Sequence, residues 1–511
     1  MDPLETLVFR IVQNKVVSKK ELQKEKFKIC KKFGMSEVPG NAELIEATKK
    51  FLDKEEDRVK VIKLLKRKPA RSLSGVAVIA VMTSPEKCPH GRCIVCPGGP
   101  DSRFSSPQSY TGREPAALRG VRNEFSGYEQ VKDRLEQYHS IGHGTDKADL
   151  IIMGGTFPAR PLKYQHEFVK DCLDALNGSK ENCLKDAIKK NETAVNRCIG
   201  LTVETRPDYC GRTELKKMLS YGTTRVELGV QCLRDDILNN IQRGHGTEES
   251  IKATELCKDH GLKVCYHMMP GLPGSSPKQD LKDFERLFNH EEFMPDMIKI
   301  YPTLVVEGTE LYNMWKRGEY SPLSTREAAK LVAKIKSVVP PYVRIQRVQR
   351  DIPSPLIQSG VKNSNLRQYV WDEMEKQGSA CRCIRCREAG RRQVTLEKIE
   401  LKHRTYKASG GTEHFLELGD GHLLIGYARL RVKEDHPPTL RELKVVGHMT
   451  PLDSDPISYQ HTGCGNKLLE ACESIASEWG KIRVTSGIGA REYYRDRGYA
   501  LDGYYMVKSI P

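Results

Sequence analysis

Gly75-Val-Ala-Val-Ile-Ala-Val-Met82, followed by Cys88-Pro-His-Gly-Arg-Cys93-Ile-Val-Cys96-Pro-Gly-Gly99, is the stretch from which the rest of the chain can be read. An apolar, β-branched run that gives way to a Pro/Gly-rich loop reads as strand, then loop. It places three thiols, Cys88, Cys93 and Cys96, at the mouth of a sheet. Thiolates so grouped hold a soft metal centre. These residues leave three readings open. One is a four-iron cluster with a single iron free of protein ligands, open to S-adenosylmethionine. The second is structural zinc, with His90 or a distant cysteine as fourth ligand. The third is a two-iron ferredoxin, which shares the Cys-x4-Cys-x2-Cys spacing. The ferredoxin needs a fourth cysteine, and the next is Cys172, 76 residues beyond Cys96, which counts against it. Gly98 and Gly99 suit a loop that wraps a bulky inorganic core, because glycine permits close backbone approach.

Outward from that loop, residues 75–310 alternate strand-like runs with longer amphipathic segments. The runs fall at 75–82, 149–154, 198–203, 224–230, 262–266 and 297–301. Six βα units predict an α/β domain of parallel strands with crossover helices, partly closed into a barrel, with ligands beyond the carboxyl ends of the strands. Those ends carry Gly154-Gly155-Thr156, Glu204-Thr-Arg206, Gln231, His267-Met-Met-Pro-Gly and Tyr301-Pro-Thr303. Bare backbone at Gly154 and Gly155 can approach a ligand. Glu204 and Arg206, two residues apart, lie on one side of an extended chain. Each feature alone is weak; gathered over one cysteine loop they argue for a binding site.

Residues 1–70 hold 18 Lys and Arg against 11 Asp and Glu. Apolar spacing around Phe51 and Val59–Leu65 predicts a small helical domain with a basic surface, ending in the basic turn 66–71. Residues 311–394 read as a connector. It contains the strand-like, arginine-rich run 342–350 and a second cluster, Cys381-Arg-Cys383-Ile-Arg-Cys386. Three cysteines fall one short of a zinc site, so zinc with a distant fourth ligand and reduced free thiols both stay open.

Residues 395–511 change character. Runs at 412–418 and 423–431 suggest an antiparallel meander, followed by a strand at 441–446 and the loop Gln460-His-Thr-Gly463-Cys464-Gly465. A helix from Asn466 then places Leu468, Leu469, Cys472, Ile475, Ala476 and Trp479 on one face. Strand, glycine loop and helix start form a pyrophosphate cradle, since free N–H groups and the positive helix end face the loop. Another strand follows at 482–486, and Tyr493-Tyr494 lie on a short helix. That order suits an acyl-CoA site, with a tyrosine near the thioester sulfur.

The whole chain has 511 residues, 83 Lys and Arg against 67 Asp and Glu, and a net charge of +16. Such an excess suits a polyanionic partner. Sixteen cysteines in so long and charged a chain predict reduced or metal-bound thiols rather than a secreted disulfide scaffold. The start, Met1-Asp-Pro-Leu-Glu, is acidic and lacks a signal-peptide core, so a cytoplasmic, soluble protein without membrane attachment is expected.

Read together, these strings resemble the catalytic-subunit family of the Elongator complex in its archaeal or bacterial stand-alone form. The match is carried by Cys88–Ser102, Gln108–Gly112, Met153–Phe157, Glu204–Cys210, Arg347–Pro353, Gln460–Gly465 and Tyr493-Tyr494. The resemblance implies a partial (βα)6 radical S-adenosylmethionine barrel, a C-terminal GNAT-type α+β domain, and a basic N-terminal helical domain that binds tRNA. It implies a [4Fe-4S] cluster on Cys88, Cys93 and Cys96, and S-adenosylmethionine beside Gly154, Gly155, Glu204 and Arg206. It also implies acetyl-CoA on Lys147, Glu442, Leu443, Lys444, Val445, Cys464, Gly465, Asn466 and Tyr494, with Lys147 and Tyr494 acting in catalysis. The implied activity is C5 carboxymethylation of the tRNA wobble uridine, with an external electron donor, by a monomer or a homodimer. Protein lysine acetylation and a non-catalytic tRNA scaffold are the rival readings.

Overall fold

The apolar run at the cysteine loop forms the edge of a seven-stranded sheet in the computed structural model, which describes residues 2–35, 37–66, 75–389, 399–446 and 463–511. Its strands are β1 (Ala77–Met82), β2 (Lys147–Met153), β3 (Arg197–Thr205), β4 (Arg225–Gln231), β5 (Lys263–Met268) and β6 (Met297–Ile300). They pair in sequence order, every pair parallel. The short β7 (Val305–Val306) pairs instead with β9 (Ile357–Ser359). Between them, β8 (Arg344–Arg347) joins β6 in parallel. The sequence reading counts six strands and leaves Arg344–Arg347 in the connector; the structure makes it the seventh strand. Its apolar signal is short because it is an edge strand with one fully buried residue, Ile345. The order runs from β1 to β8 without joining them, so the barrel is curled but open.

Alternation along the strands sets what the barrel holds. In β4, Val226, Leu228 and Val230 are fully buried in the core shared with the outer helices, while Arg225, Glu227, Gly229 and Gln231 line the interior. In β6, Ile298 and Ile300 pack outward, and Met297 and Lys299 point in. The lumen is therefore lined by polar and charged groups.

The C-terminal part is a second seven-stranded sheet. β10 (Glu400–Ala408), β11 (Gly411–Gly419), β12 (Leu424–Lys433) and β13 (His436–Val445) form the expected antiparallel meander. The chain then passes through the helix Cys464–Ala476 and returns as β14 (Lys481–Val484), parallel to β13. β15 (Ala500–Asp502) and β16 (Tyr505–Ser509) complete it. The helix starts two residues before the expected Asn466, with Gly463 at φ 76° as its cap. Leu468, Leu469, Cys472 and Ala476 are buried, but Trp479 is 40% exposed and does not belong to that face. The N-terminal helices Pro3–Val12, Lys19–Phe33, Asn41–Phe51 and Glu55–Leu65 enclose a small core around Leu7, Val8, Leu44 and Val61. Most of the basic turn 66–71 and the boundary at 394–395 lie outside the described residues. No described helix is long and apolar enough to cross a membrane.

The second sheet docks on the base of the barrel, where the strands begin. Asp296, just ahead of β6, receives Arg441 through two bonds of 2.6 and 2.8 Å. Arg441 also reaches Glu413 at 2.7 Å, and Arg431 bridges Glu413 at 3.1 Å to Asp259 at 2.6 Å. Asp296, Arg441 and Glu413 have at most 1% exposed side chains. At Gly487 a Cβ would lie 2.1 Å from the Ile199 carbonyl oxygen, so that loop sits directly on β3.

Candidate active site

The three thiols of the loop after β1 stand over the upper end of the lumen. Cys93 and Cys96 are buried and Cys88 is partly exposed. Their partners are weak and peripheral: Thr156 lies 3.7 Å from the Cys88 sulfur and Ser109 lies 3.6 Å from that of Cys96. His90 Nε2 lies 3.1 Å from the Cys93 sulfur, and the Arg243 guanidinium 3.7 Å from it. A hydrogen bond from the Cys93 thiol lowers the Cys96 thiol below its ordinary range, while Cys93 itself is raised. Burial, with Arg206 nearby, keeps His90 neutral, near 4. Among the described residues, the three sulfurs do not fall into the groups whose ligand atoms all lie within 4.8 Å of one another. Around one zinc, with bonds of about 2.3 Å, sulfurs stand roughly 3.8 Å apart. The wider arrangement fits a cluster better than a single ion.

A cavity of about 1030 Å³ runs from this loop down the barrel. Cys88, Cys93, Cys96, Arg206 and Gln231 line one end; Arg344, Glu388, Glu442, Lys444 and Val446 line the other. Between them lies a charged layer drawn from four adjacent strands, Glu204, Glu227, His267 and Lys299. Lys299 pairs with Glu227 and, at 3.2 Å, with Glu204. His267 Nε2 lies 2.8 Å from Glu227, and Tyr110 donates to Glu204 at 2.7 Å. Against the cost of burial, Lys299 and His267 hold Glu227 well below the usual carboxylate range. Glu227, Cys265 and His267 also converge within 4.8 Å, but the cation on Glu227 is Lys299, and burial pushes the Cys265 thiol up. The sequence reading missed Glu227 and Lys299. Their signal is there: single charges at alternate positions of otherwise apolar, fully buried strands.

The expected S-adenosylmethionine residues separate into two kinds. Gly155 lines the cavity, whereas Gly154, at φ 123°, is needed because a Cβ there would lie 2.3 Å from Thr83 Oγ1. Glu204 belongs to the charged layer. Arg206 is fully engaged: it donates to both oxygens of Asp208 at 2.9 and 2.8 Å, to the Arg243 carbonyl at 2.7 Å, and lies 2.5 Å from His90 Nδ1. It braces the cysteine loop.

At the base, among the described residues, β13 pairs with β14 only at Thr439 and Leu440, then continues through Glu442 to Val445 paired with β12 alone. The two strands part where a ligand backbone could enter. Glu442 and Lys444 face the lumen, while Leu443 and Val445 pack on the C-terminal core. Glu442 is tied to Arg429 at 2.9 Å and to the Tyr427 hydroxyl at 3.0 Å. In the helix-start loop, Cys464 is buried, and Asn466 accepts from Arg497 at 2.8 Å and Tyr493 at 3.3 Å. A Cβ on Gly465 would lie 3.0 Å from the Tyr493 hydroxyl. So Tyr493, rather than Tyr494, touches the loop. Tyr494 is 6% exposed in the core between Tyr493 and Tyr499, and its hydroxyl makes no hydrogen bond among the described residues. Gln460, His461 and Thr462 lie outside the described residues. Lys147 opens β2 beside Arg197, whose side chain would be 2.3 Å from a Cβ on Gly489. This lysine is thus on the face that meets the C-terminal sheet, but it does not line the cavity.

Cys381, Cys383 and Cys386 bring their sulfurs within 4.8 Å of one another beside β8, a donor set within reach of one tetrahedral ion. Ile384 N–H bonds the Val343 carbonyl at 3.0 Å, anchoring the group to the barrel rim.

Comparison with known proteins agrees with this architecture. Residues 3–73 match the ELP3 N-terminal domain, 82–287 the radical SAM superfamily, and 295–376 the radical SAM C-terminal domain. The chain is 51% identical over 494 residues to the tRNA uridine(34) acetyltransferase of Methanocaldococcus jannaschii, covering 92% of this chain and 90% of that protein. It is 42% identical over 515 residues to human Elongator complex protein 3, covering 96% and 93%. The structure of an archaeal Elp3 from Methanocaldococcus infernus, lacking residues 1–46, superposes with a TM-score of 0.76 at 46% identity, over 86% of this chain and 100% of that one. With a radical SAM barrel, a cysteine loop at its mouth and this likeness over nearly its whole length, the chain belongs to the Elongator complex protein 3 family.

Proposed function

We propose that this protein attaches a carboxymethyl group to C5 of the wobble uridine of tRNA, with acetyl-CoA as carbon source and S-adenosylmethionine as radical source. The observation that carries the reading is the single cavity between the cysteine loop and β13. An acyl group held at the base and a radical generated at the top share one lumen. Cys88, Cys93 and Cys96 would hold a [4Fe-4S] cluster, and the chemistry it supplies when bound is one-electron cleavage of S-adenosylmethionine to methionine and a 5′-deoxyadenosyl radical. The overall change joins the acetyl methyl carbon to C5, which gives up its hydrogen as a proton while the electron used to cleave S-adenosylmethionine is returned; a methyl hydrogen leaves in 5′-deoxyadenosine, water is consumed at the thioester, and CoA and methionine are released.

The chain's own residues bind and shield. The parted edge of β13, from Glu442 to Val445, offers backbone groups to the pantetheine amides, and Gly465 with Asn466 opens the helix that receives the pyrophosphate. Lys147 offsets phosphate charge, and the hydroxyl of Tyr494, which has no hydrogen bond among the described residues, meets the thioester sulfur as acetyl-CoA first binds, before its acyl end moves into the lumen. The basic N-terminal helices take the tRNA backbone, and the wobble base turns out of its stack to reach the barrel mouth. Cys381, Cys383 and Cys386 hold zinc with a structural role.

The reading is tested by anaerobic incubation of reconstituted protein with tRNA, a reductant and acetyl-CoA labelled in its methyl carbon, followed by nucleoside mass analysis. Label in 5-carboxymethyluridine, with 5′-deoxyadenosine formed alongside, is expected. Label in lysine of a protein substrate, with S-adenosylmethionine intact, would overturn the reading in favour of a lysine acetyltransferase.

A further inference from the structure

The charged layer halfway down the lumen has no part in holding the cluster or in the CoA cradle. It is costly: four ionisable side chains are taken from water into the barrel, and ionisable groups so perturbed and lining a cavity are candidates for a chemical role. Glu227 is fully buried, and its pairs with Lys299 and His267 occupy one of its oxygens. The other lies 3.4 Å from Arg225 Nε. The carboxylate therefore stays ionised and accepts the Nε2–H of His267 at 2.8 Å. That bond fixes the tautomer and leaves the lone pair on Nδ1. Nδ1 has no hydrogen-bond partner among the described residues, and His267 lines the cavity. A carboxylate holding one nitrogen of an imidazole, with the other nitrogen free on a side chain that lines a substrate space, is the arrangement of a general base and its orienting partner.

The position matters as much as the pair. On the function proposed above, CoA enters from β13 at the base while the methyl carbon bonds to a base near the cysteine loop, so the thioester carbonyl lies in between. We propose that His267, positioned by Glu227, is the general base that activates water to hydrolyse the CoA thioester of the C5-linked intermediate. An O–H bond of water breaks and its proton passes to Nδ1. The oxygen bonds to the thioester carbonyl, the C–S bond breaks, and sulfur leaves with the electron pair and recovers a proton from the imidazolium. No electron is gained or lost, and the products are the carboxymethyl group and free CoA.

His267 faces Glu227 from β4, Glu204 from β3, Lys299 from β6, Tyr301 just after it, and its own neighbour Cys265. Burial, with the ammonium of Lys299 adding to it, holds the imidazole below its ordinary pKa, so it is neutral and basic at pH 7. Single-turnover reactions of the full-length reconstituted protein with tRNA and acetyl-CoA test the proposal, with 5′-deoxyadenosine and tRNA nucleosides both measured. His267→Gln is expected to form 5′-deoxyadenosine as the wild type does but to cleave the thioester about 100-fold more slowly, so that CoA-linked uridine accumulates. Wild-type yields of the carboxylate from His267→Gln would overturn the proposal. Failure of the wild type itself to form any C5 product would overturn the underlying function along with it. Two measurements do not depend on how that variant folds. In the wild type, thioester cleavage should fall on acidification as one proton is taken up; a flat profile counts against the base. In the apoprotein, 15N NMR of labelled histidine should show His267 as the Nε2–H tautomer, shifting toward Nδ1–H in Glu227→Gln. An Nδ1–H tautomer in the wild type removes the free lone pair and sinks the assignment.

Discussion

A single charged residue in this molecule does different work depending on its depth. Arg206 looks like a ligand contact in the sequence, yet all its nitrogens are spent on Asp208, His90 and the Arg243 carbonyl. Replacing it should loosen the cysteine loop before it affects substrate affinity. Cys88→Ser, Cys93→Ser and Cys96→Ser are each expected to lose most bound iron and all 5′-deoxyadenosine formation, measured by iron analysis and chromatography. Full iron content in any one would remove that cysteine from the ligand set. Lys147 has no ion pair among the described residues and stands at the junction of the two sheets. Lys147→Ala should weaken acetyl-CoA binding by about 1–3 kcal/mol by calorimetry, the range of a charge-assisted contact, with the thermal transition unchanged. Gly154 reads in the sequence as backbone that a ligand can approach, and Gly487 stands in no motif. The atoms that forbid a side chain there belong to Thr83 and Ile199, far away in sequence.

Among elements, β8 and the N-terminal helices show two ways a segment can hide its role. β8 has four residues, with arginines at both ends, and reads as a strand-like, arginine-rich run within a connector rather than as part of the barrel. Its place is decided by pairing with β6, where Met297 meets Arg344. The N-terminal helices are legible, because their apolar spacing encloses a core of their own. Their basic surface is a proposed tRNA contact. Deleting residues 1–70 should flatten the slope of log affinity against log salt for tRNA, since fewer counterions are released, while acetyl-CoA affinity holds. An unchanged slope by filter binding would move the tRNA surface to other arginines, such as those around β8.

At the scale of the whole molecule, the buried ions at the barrel base make two sheets into one body. Against the cost of burial, Arg441 and Arg429 hold Asp296 far below the usual carboxylate range, and Arg441 and Lys258 lower Glu413. A depressed carboxyl stabilises the fold fully above its unfolded pKa of about 4, and that contribution is lost as pH falls below it. Stability should therefore drop from about pH 5 downward by chemical denaturation. Asp296→Ala should cost about 3–5 kcal/mol, because Arg441 and Arg429 lose a buried counter-charge and Glu413 alone is left to face Arg441. It should also flatten that acid limb; an unchanged limb would put the acid sensitivity elsewhere. The C-terminal sheet expressed alone exposes Arg441, Arg431 and Arg429, so it is expected to be less stable and to bind acetyl-CoA more weakly than the full chain.

The sequence by itself determined what local chemistry can encode. Strand and helix periods predict the parallel barrel and the antiparallel meander, cysteine spacing marks both sulfur clusters, and the glycine loop marks the start of the following helix to within two residues. Such patterns are written in neighbouring residues, so they survive without knowledge of the fold. Tertiary structure alone decided what meets across distance. It brought Glu227, His267 and Lys299 from three strands into one layer, seated Tyr493 rather than Tyr494 against Gly465, and joined β13 to the cysteine loop through one lumen. The physical reason is that the inward face of a curled sheet samples every second residue of each strand. Which of these face one another depends on strand order and register, and no single strand carries either.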